Sequence, residues 1–181
     1  MTKATIIILG YVVGLIVLIA IVPKSKTDSA VTASAAKSES TTPAAAQISV
    51  DQSLKTDYFD VTVTGYKLEP TVKTGNEFAD LKKEDGTKYL IIDVTFKNTD
   101  KETRMIFDGE VLVKQDDGSM LKYEQPELVP EDGWGVLVDN INPGITKKTK
   151  LVYKVPETLN GSIYFHPARA GSDETILLGT L

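Results

Sequence analysis

The residues able to do chemistry are few. The chain of 181 residues holds one histidine, three methionines and no cysteine. Without cysteine there are no disulfides, thiolate nucleophiles, Fe–S clusters or cysteine-based zinc sites. His166 is followed directly by Pro167. No strand–Gly-x-Ser-x-Gly–helix setting accompanies it, so a Ser-His-acid triad lacks its usual frame. It reads as a strand-end residue. Transition metals need clustered His, Cys or Met, and His166 with Met105 and Met120 does not supply that. Calcium asks only for oxygen ligands, and two short acidic loops offer them, Asp116-Asp117-Gly118 and Glu131-Asp132-Gly133. Neither has the long alternating spacing of a calcium loop. Both suit turns, where Asp side chains bond the local backbone and glycine accepts positive φ. The 25 acidic residues keep a carboxylate pair for glycoside hydrolysis formally available. A domain this small, however, has little room for a deep cleft. No cofactor or metal is expected.

The formal net charge is −5. A nucleic-acid binder carries a basic face. The nearest approach here, Lys147, Lys148 and Lys150, reads as the solvated face of a strand, so no nucleic-acid partner is expected.

Binding chemistry concentrates in one segment, Glu124 to Asn140. It carries the sole tryptophan, Trp134, between Gly133 and Gly135, with Pro126 and Pro130 nearby. Loops on rigid scaffolds commonly carry binding, and tryptophan is enriched at binding hot spots. Trp134, Pro130 and Asp132 are the candidate ligand contacts. The structural reading, preferred because burying a tryptophan is worth about 3 kcal/mol or more, is that Trp134 folds back and caps the open end of the domain.

The elements that would position this loop are strands. Phe59, Val61 and Val63 alternate with polar residues, and Tyr66 and Leu68 follow. In Tyr89 to Asn98, the residues Leu90, Ile92, Val94 and Phe96 point one way, and Ile91, Asp93, Thr95 and Lys97 point the other. That pattern predicts a central strand with one buried face. The chain then turns at Asn98-Thr99-Asp100. Val111 and Val113 lie on a strand, Asp116-Asp117-Gly118 turns, and Met120 to Tyr123 pairs back. Asn142-Pro143-Gly144 is a further turn before a strand ending at Pro156. Asn160-Gly161-Ser162 fits a glycosylation sequon and reads as a turn. Ser162 to His166 and Thr175 to Leu178 supply the last strands. About seven strands and no helical period predict an all-β fold, an immunoglobulin-like antiparallel β-sandwich over residues 50–181. A small barrel is the alternative.

Two appendages precede it. Thr5 to Val22 carries no charge and is almost entirely Ile, Leu, Val, Gly and Ala. As a helix it would extend about 27 Å, close to the hydrocarbon thickness of a bilayer. Residues 1–23 are therefore read as one transmembrane helix, a retained anchor. A cleaved signal peptide is the alternative, but Pro23 and Lys24 to Asp28 make a poor cleavage site. Residues 24–49 are rich in Ser, Thr and Ala and should form a disordered tether, with an r.m.s. span of about 25–30 Å. The positive-inside bias is nearly balanced. The tether's composition places the domain on the extracytoplasmic side of the cell membrane.

Several motifs together carry a family resemblance. The strand Lys88 to Asn98, the Asp117-Gly118 turn inside a hairpin, and Asn142-Pro143-Gly144 followed by Leu151 to Pro156 resemble the domain-of-unknown-function family numbered 4352. The resemblance runs from about Asp57 to the C-terminus. It implies a bacterial exported protein, often a lipoprotein, whose fold is similar to the telokin-like immunoprotective extracellular antigen. Many relatives use a lipobox cysteine, which this chain lacks. The family implies a fold and an address, and no reaction. The expected role is an interaction module that binds a protein, a peptide or a cell-envelope component. The alternatives are a small envelope hydrolase using acidic loop residues and a structural spacer.

Overall fold

The computed structural model describes residues 48–135, 140–170 and 174–181. The anchor, the tether up to Gln47 and residues 136–139 of the Glu124–Asn140 loop lie outside the described residues. Eleven strands are described in chain order: β1 (Ile48–Ser49), β2 (Ser53–Lys55), β3 (Phe59–Glu69), β4 (Thr87–Asn98), β5 (Arg104–Met105), β6 (Glu110–Lys114), β7 (Met120–Tyr123), β8 (Asn140–Ile141), β9 (Thr146–Pro156), β10 (Ser162–His166) and β11 (Ile176–Thr180). No helix occurs among the described residues.

The strands form two main sheets, ordered β2-β3-β4-β9 and β1-β11-β10-β6-β7, with β5 and β8 as a small separate ribbon. Alternation along the long strands explains the packing. Leu90, Ile92, Val94 and Phe96 of β4 join Val61 and Val63 of β3, Leu151 and Tyr153 of β9, Val111 and Val113 of β6, and Ile163 and Phe165 of β10 in one core between the sheets. This is a two-layer sandwich and not a closed barrel. One pairing departs from the antiparallel expectation, because β1 runs parallel to β11, Ile48 opposite Ile176. Ile48, the first of the described residues, thus already belongs to a sheet.

The second face of β4 is a larger departure. Tyr89, Ile91 and Val152 point away from the main core, yet they are buried in a second apolar cluster with Val72 and Val129. Two long connections cover this face. Between β3 and β4, Val72 and Leu81 pair through reciprocal backbone bonds of 3.0 and 3.1 Å. Between β7 and β9, the Glu124–Gly135 segment lies alongside them. Asn76 Nδ2 donates to Glu131 Oε2 at 2.8 Å, tying the two connections together. Lys154 of β9 reaches both, at 3.0 Å to Glu84 and 3.2 Å to Glu127.

The expected turns are present. In the β6–β7 hairpin Gly118 has φ +83° and donates to Gln115 O at 3.0 Å, while Ser119 N donates to Asp117 Oδ1 at 2.8 Å. Gly161 is more constrained. It has φ +103°, and a Cβ there would lie 2.3 Å from the Lys114 carbonyl oxygen. Alanine would meet both a left-handed backbone penalty and a backbone clash. Gly161→Ala should cost about 2 kcal/mol or more. Gly86 has φ +73° with open space around it, so Gly86→Ala should carry the conformational penalty alone and melt at a higher temperature than Gly161→Ala. Thermal melts of the two variants check this.

Candidate ligand-binding cleft

After β7 the chain crosses to β9, which among the described residues is an edge of its sheet. Glu127 N donates to Val152 O at 2.7 Å. Further along, Lys150 N donates to Gly133 O at 3.0 Å and Gly135 N to Lys150 O at 2.7 Å. These bonds lay the loop along β9 and cover part of its edge. The turn between them is tight, with Trp134 N donating to Glu131 O at 3.1 Å and Gly133 at φ +80°. The Glu131-Asp132-Gly133 sequence thus serves as a turn. Among the described residues no three His, Cys, Asp or Glu side chains are placed to hold a metal ion.

Trp134 does not cap an open end of the sandwich, as the structural reading supposed. Its half-buried ring packs on the outer-face cluster of Tyr89, Ile91 and Val152. Lys150 Nζ stands 5.8 Å from the ring centroid and is paired with Asp93. The covering loop takes this place because Ile91 and Val152 present apolar surface on a face that would otherwise meet water.

Beside this loop lies a cleft of about 620 Å³. Trp134, Pro130 and Asp132, the three residues singled out in the sequence, all line it. Pro126 and Leu128 add apolar wall, and Leu128 is 63 % exposed. Glu127, within the same loop, also lines the cleft, as do Asp108 and Lys147, which sequence reasoning did not bring here. Asp108 comes from the chain just before β6 and Lys147 from the start of β9, so only the folded sheets bring them to the loop. Burial pushes the Asp108 carboxyl above the ordinary aspartate range, and among the described residues no donor or cation acts against it. Glu127 and Glu131 are engaged with Lys154 and Asn76.

His166 sits elsewhere, at the end of β10. Its Nδ1 is 3.1 Å from Glu110 Oε1, and Lys122 Nζ is 2.7 Å from Glu110 Oε2. Burial acts to raise the Glu110 carboxyl, but the hydrogen bonds from Lys122 and His166 outweigh it and hold the group low. This cross-strand network borders a smaller concavity of about 300 Å³ on the other sheet, with Leu112, Met120 and Tyr164.

The profile of the family described as a domain of unknown function, DUF4352, matches residues 48–174. The chain belongs to the DUF4352 family. The match begins at Ile48, where β1 begins. No curated protein matches the chain. Among solved structures, an uncharacterized β-sandwich protein from Clostridium difficile 630 is similar at 16 % identity, covering 75 % of this chain and 95 % of that one with a TM-score of 0.55. A conserved hypothetical protein from Bacillus anthracis is similar at 20 % identity, over 65 % of this chain and 87 % of that one, with a TM-score of 0.47. The yjhA protein from Bacillus subtilis is similar at 17 % identity, over 70 % and 86 %, with a TM-score of 0.45. The first likeness places this DUF4352 domain among β-sandwiches. The family description and these structures name no enzymatic activity.

Proposed function

We propose that this DUF4352 chain is a membrane-anchored, extracytoplasmic interaction module, without enzymatic activity, that binds a protein, peptide or cell-envelope component in the cleft beside β9. One observation carries the reading: Trp134, Pro130 and Asp132 all line a single cleft of about 620 Å³. That volume is in the range of pockets that hold small ligands or a few side chains. The loop is also fixed to the sheet by backbone bonds to Lys150 and Val152, so its binding face is preorganised and loses little entropy on engagement. The uncharged run Thr5–Val22 and the Ser/Thr/Ala-rich tether support the address.

The experiment uses the full-length protein in non-ionic detergent, challenged with a random heptapeptide library and with soluble cell-wall fragments. Retained ligands should protect Trp134 from acrylamide quenching. Trp134→Ala should abolish retention. Its melting temperature should fall by only a few degrees, because the ring is half-buried and forfeits part of the roughly 3–5 kcal/mol of a fully buried tryptophan. Ligands held equally well by Trp134→Ala, with quenching unchanged in the parent, would count against the cleft.

A small envelope hydrolase is the second reading, favoured by one observation, the raised Asp108 carboxyl in a cleft that also holds Asp132. A carboxyl raised by burial in a cleft is a candidate general acid. Turnover of a retained wall fragment, lost in Asp108→Asn, would favour it.

A further inference from the structure

The charge of the cleft is one-sided. Among the described residues, Asp108, Glu127, Glu131 and Asp132 line it against one cation, Lys147. Two of these carboxylates already have roles, Glu127 in the Lys154 pair and Glu131 in the Asn76 bond. Asp108 has none. Its carboxyl is half-buried, and no hydrogen bond or ion pair among the described residues involves it. Partial burial of a carboxylate costs free energy that a cationic partner offsets. Leu128 adds apolar surface to the same wall, 63 % exposed.

We propose that the cleft binds a basic peptide segment, with a lysine or arginine head at Asp108 and flanking apolar residues against Leu128 and Trp134. This rests on the binding reading above and adds the chemical class of its ligand. An incoming ammonium or guanidinium supplies the cation that Asp108 lacks, in a site drier than the open surface, where a charge-assisted bond is stronger. The apolar flanks cover Leu128 and the exposed part of the Trp134 ring. A neutral or acidic segment would leave Asp108 desolvated and unpaired.

The test uses three hexapeptides, alternating Leu with Arg, Gln or Glu, titrated into the full-length protein with Trp134 fluorescence as readout. The Arg peptide should bind saturably, roughly tenfold tighter than the Gln peptide, and the Glu peptide should bind least. Asp108→Asn should weaken the Arg peptide to the level of the Gln peptide. Asp116→Asn, an exposed turn carboxylate away from the cleft, should leave it unchanged, which separates the site from general attraction to an acidic protein. Asp108→Asn should also raise the melting temperature at neutral pH. A carboxyl whose folded pKa is raised destabilises the domain as pH rises through that pKa. The gain should therefore shrink below the ordinary aspartate value of about 3.9. Equal binding of the three peptides, or an Arg peptide indifferent to Asp108→Asn, overturns the basic-ligand inference. If library ligands still protect Trp134, that result leaves the cleft as a binding site. Failure of every library ligand and every hexapeptide to affect Trp134 overturns both.

Discussion

Val94→Asp should unfold the domain, while its neighbour Asp93→Asn should leave it folded. The two residues share one strand and face opposite ways. Val94 is 2 % exposed and packs in the core between the sheets, opposite Val63 on one side and Thr149 on the other. A carboxylate there finds no cation, so it is either held ionised in an apolar setting or protonated at a cost. Either way the penalty is several kcal/mol, a large part of the roughly 5–15 kcal/mol that holds a domain together. Asp93 lies on the outer face, paired with Lys150 across β4 and β9. Both side chains are partly exposed, and such a pair is worth about 0–1 kcal/mol. Urea melts followed by circular dichroism check the contrast. Equal loss of stability in the two variants would mean that the facing of β4 is wrong.

Asn98 should be nearly as sensitive, for a polar reason. It is fully buried at the end of β4. Its Nδ2 donates to Ile141 O at 2.7 Å and to Glu102 O at 2.8 Å, and its Oδ1 accepts from Asp100 N at 2.8 Å. Its backbone N and O pair with Ile145 and Gly144, both at 3.0 Å. One residue therefore fastens the Asn142-Pro143-Gly144 turn, β8 and the 99–103 connection to the main sheet. Asn98→Ala removes three side-chain bonds and leaves buried carbonyls without donors, at about 2–4 kcal/mol. Asn98→Asp keeps the acceptor for Asp100 N but turns an anion toward the Ile141 and Glu102 carbonyls. At neutral pH it should therefore melt below Asn98→Ala. The reverse order would show that the acceptor, and not the two donated bonds, holds this corner.

The long strands were legible because alternation repeats enough times to register. Phe59 to Leu68, Tyr89 to Asn98, Met120 to Tyr123 and Ser162 to His166 all fall on observed strands. β1, β5 and β8 have two residues each and β2 has three. No period can be read in so few, and their partners Ile176, Val61 and Arg104 are distant in sequence or across a turn. Tyr89, Ile91 and Val152 held a signal that strict alternation does not use. Three apolar side chains on the nominally wet face require a cover, and Val72, Leu81, Val129 and Trp134 provide it. The same cover explains why Trp134 lies along β9 and not over an end of the sandwich. The loop half of the cleft could be seen from its tryptophan, prolines and glycines. Asp108 and Lys147 could not, because chemistry gathered from three separate stretches leaves no local pattern.

Hydrogen–deuterium exchange on the full-length protein, with and without the tightest peptide from the library, tests the cleft most directly. Without ligand, the amides of Glu127, Trp134, Gly135 and Lys150 should already exchange slowly, since each is hydrogen-bonded. With ligand, new protection should appear in 124–135 and around Asp108. Protection confined to the β7 edge, Met120 to Tyr123, or to the concavity at Leu112, Tyr164 and His166, with 124–135 unchanged, would contradict the assignment of the site.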